Sequence, residues 1–211
     1  MEVVFYIKIN SNFVPPSPQN YYMRKKTILI IITGFPGTGK TTLGKKIASK
    51  FKLPFICKDD FKEILFDILG SKDREWSKRI GMASYDILYH ITEENLKANK
   101  SLIIETNFDP KFANKKIMEL QLKYGFIPFQ IRCIAEGSVL IQRFKDRANS
   151  SERHKGHCDG DNLDEWSSVL KKGKIEPLEI NGETFDLDTT YFKSIDYEVL
   201  FNAIKKVITS P

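Results

Sequence analysis

The chain has 211 residues, a length typical of one domain, and its 41% hydrophobic and 28% charged residues exclude a wholly disordered or fibrous protein. Its three cysteines, Cys57, Cys133 and Cys158, lie far apart, so they form no disulfide framework or paired zinc motif, and we expect a reducing, cytoplasmic location. No apolar run reaches the roughly 18 residues that cross a bilayer, and the net charge of +6 suits an anionic ligand such as a nucleotide or a nucleic acid.

Residues 1–26 differ in composition from the rest of the chain. Three prolines lie within 10–19, and such a segment cannot sustain a helix or a central strand. The basic residues at 24–26 follow this segment, whereas a signal peptide has its basic residues before an apolar stretch and a cleavage site after it. We therefore expect residues 1–26 to be an N-terminal extension of a domain that spans 27–211.

Strand and helix patterns alternate through the rest of the chain. A continuous apolar, mostly β-branched run at 27–33 predicts a strand buried on both faces. Further strands are predicted at 53–57, 101–105, 127–134 and 184–187. The helical spacing of apolar residues recurs at 41–51, 61–69, 76–96, 110–124, 138–148 and 197–208. The alternation predicts an α/β fold with a mainly parallel, five-stranded sheet. Asn181-Gly182 also predicts a tight hairpin turn.

A phosphate-binding motif follows the first predicted strand directly. The segment Gly34-Phe-Pro-Gly-Thr-Gly-Lys-Thr matches G-x-x-x-x-G-K-[ST], with a strand before it and a helix after it. In that context the N–H groups of the loop and the positive end of the helix face the phosphates of a nucleotide. We expect Lys40 to contact the β- and γ-phosphates and the Thr41 hydroxyl to bind Mg²⁺. The predicted nucleotide-binding residues of this loop are Gly34, Pro36, Gly37, Thr38, Gly39, Lys40, Thr41 and Thr42.

Acidic residues follow the next two predicted strands. Asp59 and Asp60 open a helix, where the carboxylates either cap the helix or accept the proton of an attacking hydroxyl. Glu105 ends the third strand, where a ring ATPase would carry two adjacent acids. The Asn-Lys pair at 114–115 does not complete the Asn-Lys-x-Asp motif of a G protein. The motifs and the length favour a compact phosphotransferase.

Four segments occur in a characteristic order. They are the loop at 34–42, Asp-Asp-Phe-Lys at 59–62, Glu-Thr-Asn-Phe-Asp-Pro at 105–110 and Arg-Phe-Lys-Asp-Arg at 143–147. Together they resemble the P-loop kinases related to the kinase domain of phage-type polynucleotide kinase, a group that includes chloramphenicol phosphotransferase and zeta-type toxins. The resemblance covers residues 27–147 well. It implies a three-layer α/β/α P-loop fold with a mobile lid.

The resemblance also implies roles for individual residues. Asp59 matches the general base of the group, and Glu105 matches an acidic residue near Mg²⁺ and substrate. Lys62 stands where polynucleotide kinases have an arginine that contacts the substrate phosphate, and lysine lacks the bidentate geometry of arginine. The other substrate-binding residues implied are Asp60, Thr106 and Asn107.

A basic segment follows the fourth predicted strand. Arg143 and Arg147 are four residues apart and therefore share one helix face, and they resemble the lid arginines that close over ATP. The chain then adds Arg153 in a basic, glycine-containing stretch, which suits a mobile lid at about 147–174. The two histidines and the cysteine within it match no standard zinc motif. The resemblance places residues 188–190 near the adenine.

These observations predict an ATP-dependent kinase that uses Mg²⁺ and moves the γ-phosphoryl group of ATP to a hydroxyl of a small molecule or nucleotide-like acceptor. The predicted catalytic residues are Lys40, Asp59, Arg143 and Arg147, and Arg153 is predicted to bind the nucleotide. One alternative is phosphorylation of the 5′-hydroxyl of a nucleic acid. Another is an ATP-binding module or a toxin, and Asp59 argues against a module without transfer chemistry. We expect no membrane partner, and the sequence leaves the acceptor and the oligomeric state open.

Overall fold

The computed structural model describes residues 26–150, 153–158 and 163–209, so the predicted extension lies almost entirely outside the described residues. Five parallel strands form one sheet in the order β2-β3-β1-β4-β5. The strands are β1 (Ile28–Gly34), β2 (Phe55–Cys57), β3 (Leu102–Glu105), β4 (Ile127–Ile134) and β5 (Glu183–Asp188). The helices are α1 (Lys40–Phe51), α2 (Lys58–Leu69), α3 (Arg74–Lys97), α4 (Pro110–Tyr124), α5 (Gly137–Ala148), α6 (Leu163–Leu170) and α7 (Tyr197–Thr209). Within these described ranges, no helix has the length and apolar character needed to cross a bilayer.

Helices cover both faces of the sheet. Ile28, Ile30 and Ile32 of the central strand pack with residues of α1 and α7. Leu29 and Ile31 pack on the opposite face with residues of α3 and α4. Because successive side chains of a strand point to opposite faces, a strand that serves two helical layers must be apolar throughout. The predicted three-layer α/β fold is therefore confirmed, and the sheet is parallel throughout.

The register of the sheet brings the carboxyl ends of its strands together. Glu105 of β3 lies beside Ile32 of β1 on one side and beside Cys57 of β2 on the other. Gly34, where the phosphate loop begins, pairs with Cys133 of β4. In open parallel sheets, ligands bind at this edge. Motifs that lie far apart in the sequence are therefore neighbours in the fold.

The hairpin predicted at Asn181-Gly182 is wrong. β5 pairs in parallel with β4, and residues 175–180 contribute no strand. The N–H of Leu178 donates instead to Oε1 of Gln130, at 2.8 Å. Gly182 lies directly against the backbone of Pro128, where a side chain would collide. Close approach of two chain segments, and not a turn, requires the glycine.

Candidate active site

The loop between β1 and α1 has the backbone geometry that phosphate binding needs. Gly37 and Gly39 have φ angles of +86° and +76°, a region that favours glycine. Thr38 is buried, and its hydroxyl donates to the carbonyl of Phe35 at 2.8 Å, which closes the loop. α1 starts at Lys40 with no acidic residue in its first turn. The positive end of the helix therefore faces the loop without a competing carboxylate from its own first turn.

Glu105 connects this loop to the end of β3. Its carboxylate accepts a hydrogen bond from the Thr41 hydroxyl at 3.0 Å and lies 3.9 Å from Nζ of Lys40. The Cys57 thiol donates to the same carboxylate oxygen at 2.9 Å. Burial, and then the charge of Glu105, raise the pKa of Cys57, so the thiol stays protonated and remains a donor. The carboxylate is thus held from two sides, next to the nucleotide loop.

The pair formed by Thr41 and Glu105 fits Mg²⁺. Both side chains present oxygen, the donor that this hard cation prefers. In the described ranges, no group of three or more His, Cys, Asp and Glu side chains could hold a metal ion. Mg²⁺ in nucleotide sites is typically bound through one or two protein oxygens together with phosphate and water. The resemblance implied a position for Glu105 near Mg²⁺ and substrate, and its contacts place it beside the threonine expected to bind Mg²⁺.

Asp59 lies in the first turn of α2 and lines an open cleft. It lies 2.9 Å from Nζ of Lys58 and 3.5 Å from Nη1 of Arg153. Burial acts to raise the pKa of Asp59, but the charges of the neighbouring Lys58 and Arg153 hold it well below its usual range. The adjacent Asp60 is exposed and lies outside the lining of the cleft. Of the two aspartates, Asp59 is therefore the one placed to meet a substrate.

Polar groups after β3 continue the wall of the cleft. Oγ1 of Thr106 lies 3.2 Å from both Oη of Tyr85 and Oδ1 of Asn107. Tyr85 comes from α3, and its ring lies 5.2 Å from Nζ of Lys58. The sequence gives no local signal for this tyrosine, because a single aromatic residue on an amphipathic helix is ordinarily part of the core. Its hydroxyl joins Thr106 and Asn107 in one polar network.

The structure brings most of the predicted site residues to this cleft. Those that line it are Pro36, Lys40, Asp59, Lys62, Glu105, Thr106, Asn107, Arg147 and Arg153. Lys58, Arg74, His157 and Trp166 also line it and were not predicted as site residues. Of these, Lys58 stands next to the aspartate pair in the sequence, which is a usable signal. Arg74 carries none, because it reaches the cleft only through the packing of α3 against α2.

The two predicted lid arginines occupy different places. Arg143 donates to three backbone carbonyls, at 3.3 Å to Gly37, 3.0 Å to Thr189 and 2.8 Å to Thr190. It therefore joins the phosphate loop to the segment after β5, outside the lining of the cleft. Arg147, one helical turn later, does line the cleft. A contact between Arg147 and a transferring phosphoryl group stays a prediction.

Segment 153–158 lies across α2. Nη1 of Arg153 is 3.5 Å from Asp59 and 3.6 Å from Glu63. The ring of His157 is 2.9 Å from Oε1 of Glu63. Burial, and then the charge of Arg153, hold the pKa of His157 far below its usual value, so the imidazole is neutral at neutral pH. Its contact with Glu63 is therefore a hydrogen bond and not an ion pair.

An aromatic contact also holds segment 153–158 against α2. The ring of His154 stacks on Phe66 with centroids 5.3 Å apart, and a ring nitrogen lies 3.1 Å from Asp67. Gly156 is buried directly against the Phe66 ring, where a side chain would collide. Acidic residues spaced four apart on α2, together with one aromatic ring, thus hold the part of the predicted lid that the structure describes. Movement of this segment stays a prediction.

Comparison with known proteins identifies the family. The family model AAA_33, described as an AAA domain, matches residues 29–172. The chain belongs to this family. A candidate kinase from Chloroflexus aurantiacus J-10-fl, with a crystal structure at 1.70 Å resolution, is 37% identical, with a TM-score of 0.77 over 86% of this chain and 98% of that chain.

Two further likenesses are more distant. An unliganded sugar kinase from Janibacter sp. HTCC2649 has a TM-score of 0.51 over 89% of this chain and 99% of that chain, and at 14% identity it shows the fold alone. A shikimate kinase of Paracidovorax citrulli (strain AAC00-1) is 34% identical over 76 residues. That match spans 35% of this chain and 42% of the shikimate kinase. The comparisons support a P-loop kinase, and membership of the polynucleotide kinase, chloramphenicol phosphotransferase and zeta toxin group stays a prediction.

Proposed function

We propose that this protein is an ATP-dependent kinase that transfers the γ-phosphoryl group of ATP to a hydroxyl of a small-molecule acceptor. The observation that carries the proposal is the convergence of Lys40, Asp59 and Arg147 on one cleft at the carboxyl ends of the parallel strands. A phosphate loop alone supports nucleotide binding. An ionised carboxylate and an arginine that line the same cleft add what transfer to a hydroxyl requires. The family and its kinase relatives support the same conclusion.

ATP would bind with its phosphates on the loop at 34–42. Backbone N–H groups, the start of α1 and Lys40 supply the positive charge there. Residues 188–190 adjoin this loop through Arg143, consistent with the adenine lying near them. Thr41, with Glu105 beside it, would hold Mg²⁺, which when bound neutralises charge on the phosphates.

Asp59 would orient the acceptor. Its lowered pKa keeps the carboxylate ionised at neutral pH, ready to accept a hydrogen bond from the hydroxyl. The new O–P bond forms as the bond between the γ-phosphorus and the bridging oxygen breaks, so ADP leaves and the hydroxyl proton passes late to the carboxylate. Because the transition state is largely dissociative, orientation by Asp59 counts for more than its basicity. Arg147 and Lys40 neutralise the charge that develops on the phosphoryl oxygens.

One observation favours a second candidate, 5′-hydroxyl phosphorylation of a nucleic acid. A further groove shares Asn107 and Trp166 with the cleft and is also lined by Lys172 and Lys174. Lysines beside an aromatic ring suit a single strand, whose bases stack while its phosphates pair with cations. Against this, Trp166 packs on Phe144, with centroids 5.8 Å apart, and so serves the protein interior at least in part.

A screen of ADP formation tests the proposal. The acceptors are nucleosides, sugars, aminoglycoside and other antibiotics, and 5′-hydroxyl oligonucleotides, each with Mg²⁺ and ATP. We expect at least one small molecule to stimulate ADP formation in the wild type, and Asp59→Asn to lose that stimulation while it still binds ATP. Lys205→Met, an exposed change on α7, is the matched control. Stimulation by oligonucleotides alone would favour the second candidate, and stimulation that survives in Asp59→Asn would contradict the mechanism.

A further inference from the structure

Two cations lie beside the carboxylate of Asp59, and the fold holds them differently. Nζ of Lys58 lies 2.9 Å from Oδ1 of Asp59, and Nη1 of Arg153 lies 3.5 Å from Oδ2. Lys58 is the first residue of α2 and so belongs to the same helical turn as the aspartate. Arg153 comes from the segment at 153–158, which packs on α2 from elsewhere in the chain. The closer cation is therefore the one carried by the helix that also carries Asp59.

Lys58 is charged although its side chain is buried. That side chain is 9% exposed, against 40% for the side chain of Asp59. Burial acts to lower the pKa of Lys58, but the charge of Asp59 raises it above its ordinary value, so the ammonium group keeps its proton at neutral pH. The pair is thus asymmetric, because the protein encloses the ammonium group and a ligand can reach the carboxylate.

Tyr85 of α3 provides a second contact for Lys58. The ammonium nitrogen lies 5.2 Å from the centroid of the tyrosine ring, within the range of a cation–π interaction. The hydroxyl at the end of the ring lies 3.2 Å from Oγ1 of Thr106 and 3.4 Å from Oδ1 of Asn107. A chain of contacts therefore runs from the residues after β3, through Tyr85 and Lys58, to Oδ1 of Asp59.

Several titratable groups surround the Asp59 carboxylate, and Lys58 has the strongest effect among them. The groups are Cys57, Lys58, Lys62 and Glu63 around the start of α2, Tyr85 on α3, and Arg153 and His157 on the segment at 153–158. Of the charges that lower the pKa of Asp59 against the effect of burial, Lys58 contributes most, and it adds a hydrogen bond. Nζ of Lys62 donates to Ser77, and Glu63 lies beside Arg153.

We propose that Lys58 is a positioning residue for Asp59: held by the ring of Tyr85, its ammonium group binds Oδ1 and leaves Oδ2 to receive the proton of the acceptor hydroxyl. This rests on the proposed function, because it takes Asp59 as the group that meets the acceptor. The hydroxyl replaces the longer contact of Oδ2 with Arg153. Because orientation matters more than basicity in a dissociative transition state, a fixed carboxylate acts directly on kcat. Lys58 also keeps the carboxylate ionised if Arg153 turns towards the nucleotide.

Titration of the Asp59 carboxyl group tests the proposal without turnover. The full chain carries carbon-13 at its aspartate carboxyl groups and is saturated with Mg²⁺ and a non-hydrolysable ATP analogue, and the Asp59 resonance is the one missing from Asp59→Asn. We expect this carboxyl group in the wild type to stay ionised down to about pH 4, near the ordinary pKa of an aspartate. In Lys58→Met it should titrate above that pH and about 1–3 pH units higher than in the wild type, the effect of removing an opposite charge at this distance.

Two further lysine variants are the controls for this titration. Lys58→Arg keeps a cation beside Oδ1 and should retain the low titration, which also shows that the site tolerates a substitution. Lys205→Met removes an exposed lysine of α7 and should match the wild type. Affinity for the ATP analogue should be the same in all variants, because the phosphate loop is untouched. An Asp59 carboxyl group that stays ionised over the same pH range in Lys58→Met would overturn the proposal.

Two variants of Tyr85 separate the ring from its hydroxyl. Tyr85→Leu removes the aromatic face under the ammonium group, whereas Tyr85→Phe keeps that face and removes the hydroxyl. We expect Tyr85→Leu to raise the titration of Asp59 and Tyr85→Phe to raise it less. Because the tyrosine acts through the lysine, Lys58→Met combined with Tyr85→Leu should titrate as Lys58→Met alone. Additive shifts, or no shift in Tyr85→Leu, would overturn the role of the tyrosine.

The pH dependence of kcat separates this inference from the proposed function. With the best acceptor of the screen, kcat of Lys58→Met should fall about tenfold per pH unit below the pH at which its Asp59 titrates, because a protonated carboxyl group cannot accept the hydroxyl proton. At about pH 8 the carboxylate is ionised in every variant, so a loss of about tenfold there measures orientation alone. Lys58→Arg should show neither change.

The outcomes of the two measurements distinguish the possible failures. A loss of kcat in Lys58→Met that is equal at every pH, with the titration of Asp59 unchanged, would mean that Lys58 contacts the phosphoryl group itself and would overturn the positioning role. A shifted titration with a pH-independent kcat would overturn it as well. If the titration shifts as expected and none of the screened acceptors is phosphorylated, the proposed function fails and the control of Asp59 by Lys58 stands.

Discussion

On the nucleotide side of the cleft, the binding groups come from one continuous segment, residues 34–42, and most of them are backbone N–H groups. On the acceptor side they come from α2, α3 and segment 153–158, and they are charged side chains. Backbone groups are satisfied and placed as soon as the strand, loop and helix form. Among these side chains, burial first, and then the charge of Lys58, lower the pKa of Lys62 to about 8. The proposed nucleotide side is thus built by local folding, whereas the proposed acceptor side depends on side chains that tertiary packing brings together.

The largest effect should come from Lys40, the cationic side chain of the phosphate loop itself. Lys40→Met removes the charge on the β- and γ-phosphates, and we expect kcat to fall by about 10³-fold, the scale of losing a preorganised transition-state donor. Folding should be preserved, because the loop is closed by Thr38 and Phe35. Single-turnover transfer with the best acceptor measures the effect. Turnover within tenfold of the wild type would show that backbone groups alone suffice.

The next prediction compares the two groups that face the reacting phosphoryl and hydroxyl groups. Asp59→Asn should lower kcat about 10²-fold, the lower end for a positioned base, and leave ATP affinity unchanged. Arg147→Ala should cost at least as much, since a dissociative transition state depends more on phosphate neutralisation than on the base. Transfer rates and nucleotide affinity are measured separately for each variant. If Asp60→Asn abolishes transfer and Asp59→Asn is silent, the two aspartates have exchanged roles.

The acceptor side should also reveal its cost in stability. Lys62 binds its proton more weakly in the folded protein, with a pKa of about 8 against 10.5 for the ordinary side chain, so protonation favours unfolding. The resulting loss of folding stability is fully present below pH 8 and disappears as pH rises to 10.5. The difference in the free energy of unfolding between Lys62→Met and the wild type should therefore favour the variant by about 2–3 kcal/mol more at pH 7 than at pH 10.5. Urea unfolding across this pH range measures the difference.

Lys205→Met is the control for removal of a lysine charge at an exposed position. A difference between Lys62→Met and the wild type that is constant from pH 7 to 10.5 would mean that the ammonium group of Lys62 is compensated in the folded protein. The contrast between the two sides of the cleft would then disappear.

The smallest effect should come from the residue that joins the two sides. Glu105→Gln keeps an acceptor for the Thr41 hydroxyl but removes the charge beside the Mg²⁺ position. We expect the Mg²⁺ concentration for half-maximal activity to rise about tenfold, as is typical when a group around a metal ligand is changed. Titration of activity against free Mg²⁺ at saturating ATP measures it. An unchanged Mg²⁺ requirement with a raised KM for the acceptor would return Glu105 to the substrate side, as the sequence suggested.

The sequence predicts regions formed by local patterns better than regions formed by tertiary packing. The phosphate loop, the strand before it and the helix after it are a local pattern, so all of them were placed within one or two residues. The resemblance favoured Asp59 as the base, but the residues alone could not choose between Asp59 and Asp60, because both occupy the first turn of α2 and only packing decides which one lines the cleft. The hairpin at Asn181-Gly182 was wrong because a glycine needed for close approach to Pro128 looks the same in sequence as one needed for a turn.

The sequence by itself determined the α/β alternation, the buried central strand and the nucleotide loop, since each depends on side-chain periodicity or on glycines within a few residues of one another. Tertiary structure alone decided that Glu105 lies beside Thr41, that Arg143 binds the loop from outside the cleft, and that Arg74 and Tyr85 join the site. Those residues meet through strand order and through the packing of α3 against α2. The physical reason is that sheet pairing and helix packing depend on the whole folded chain, whereas the chemistry of a loop depends on its own backbone.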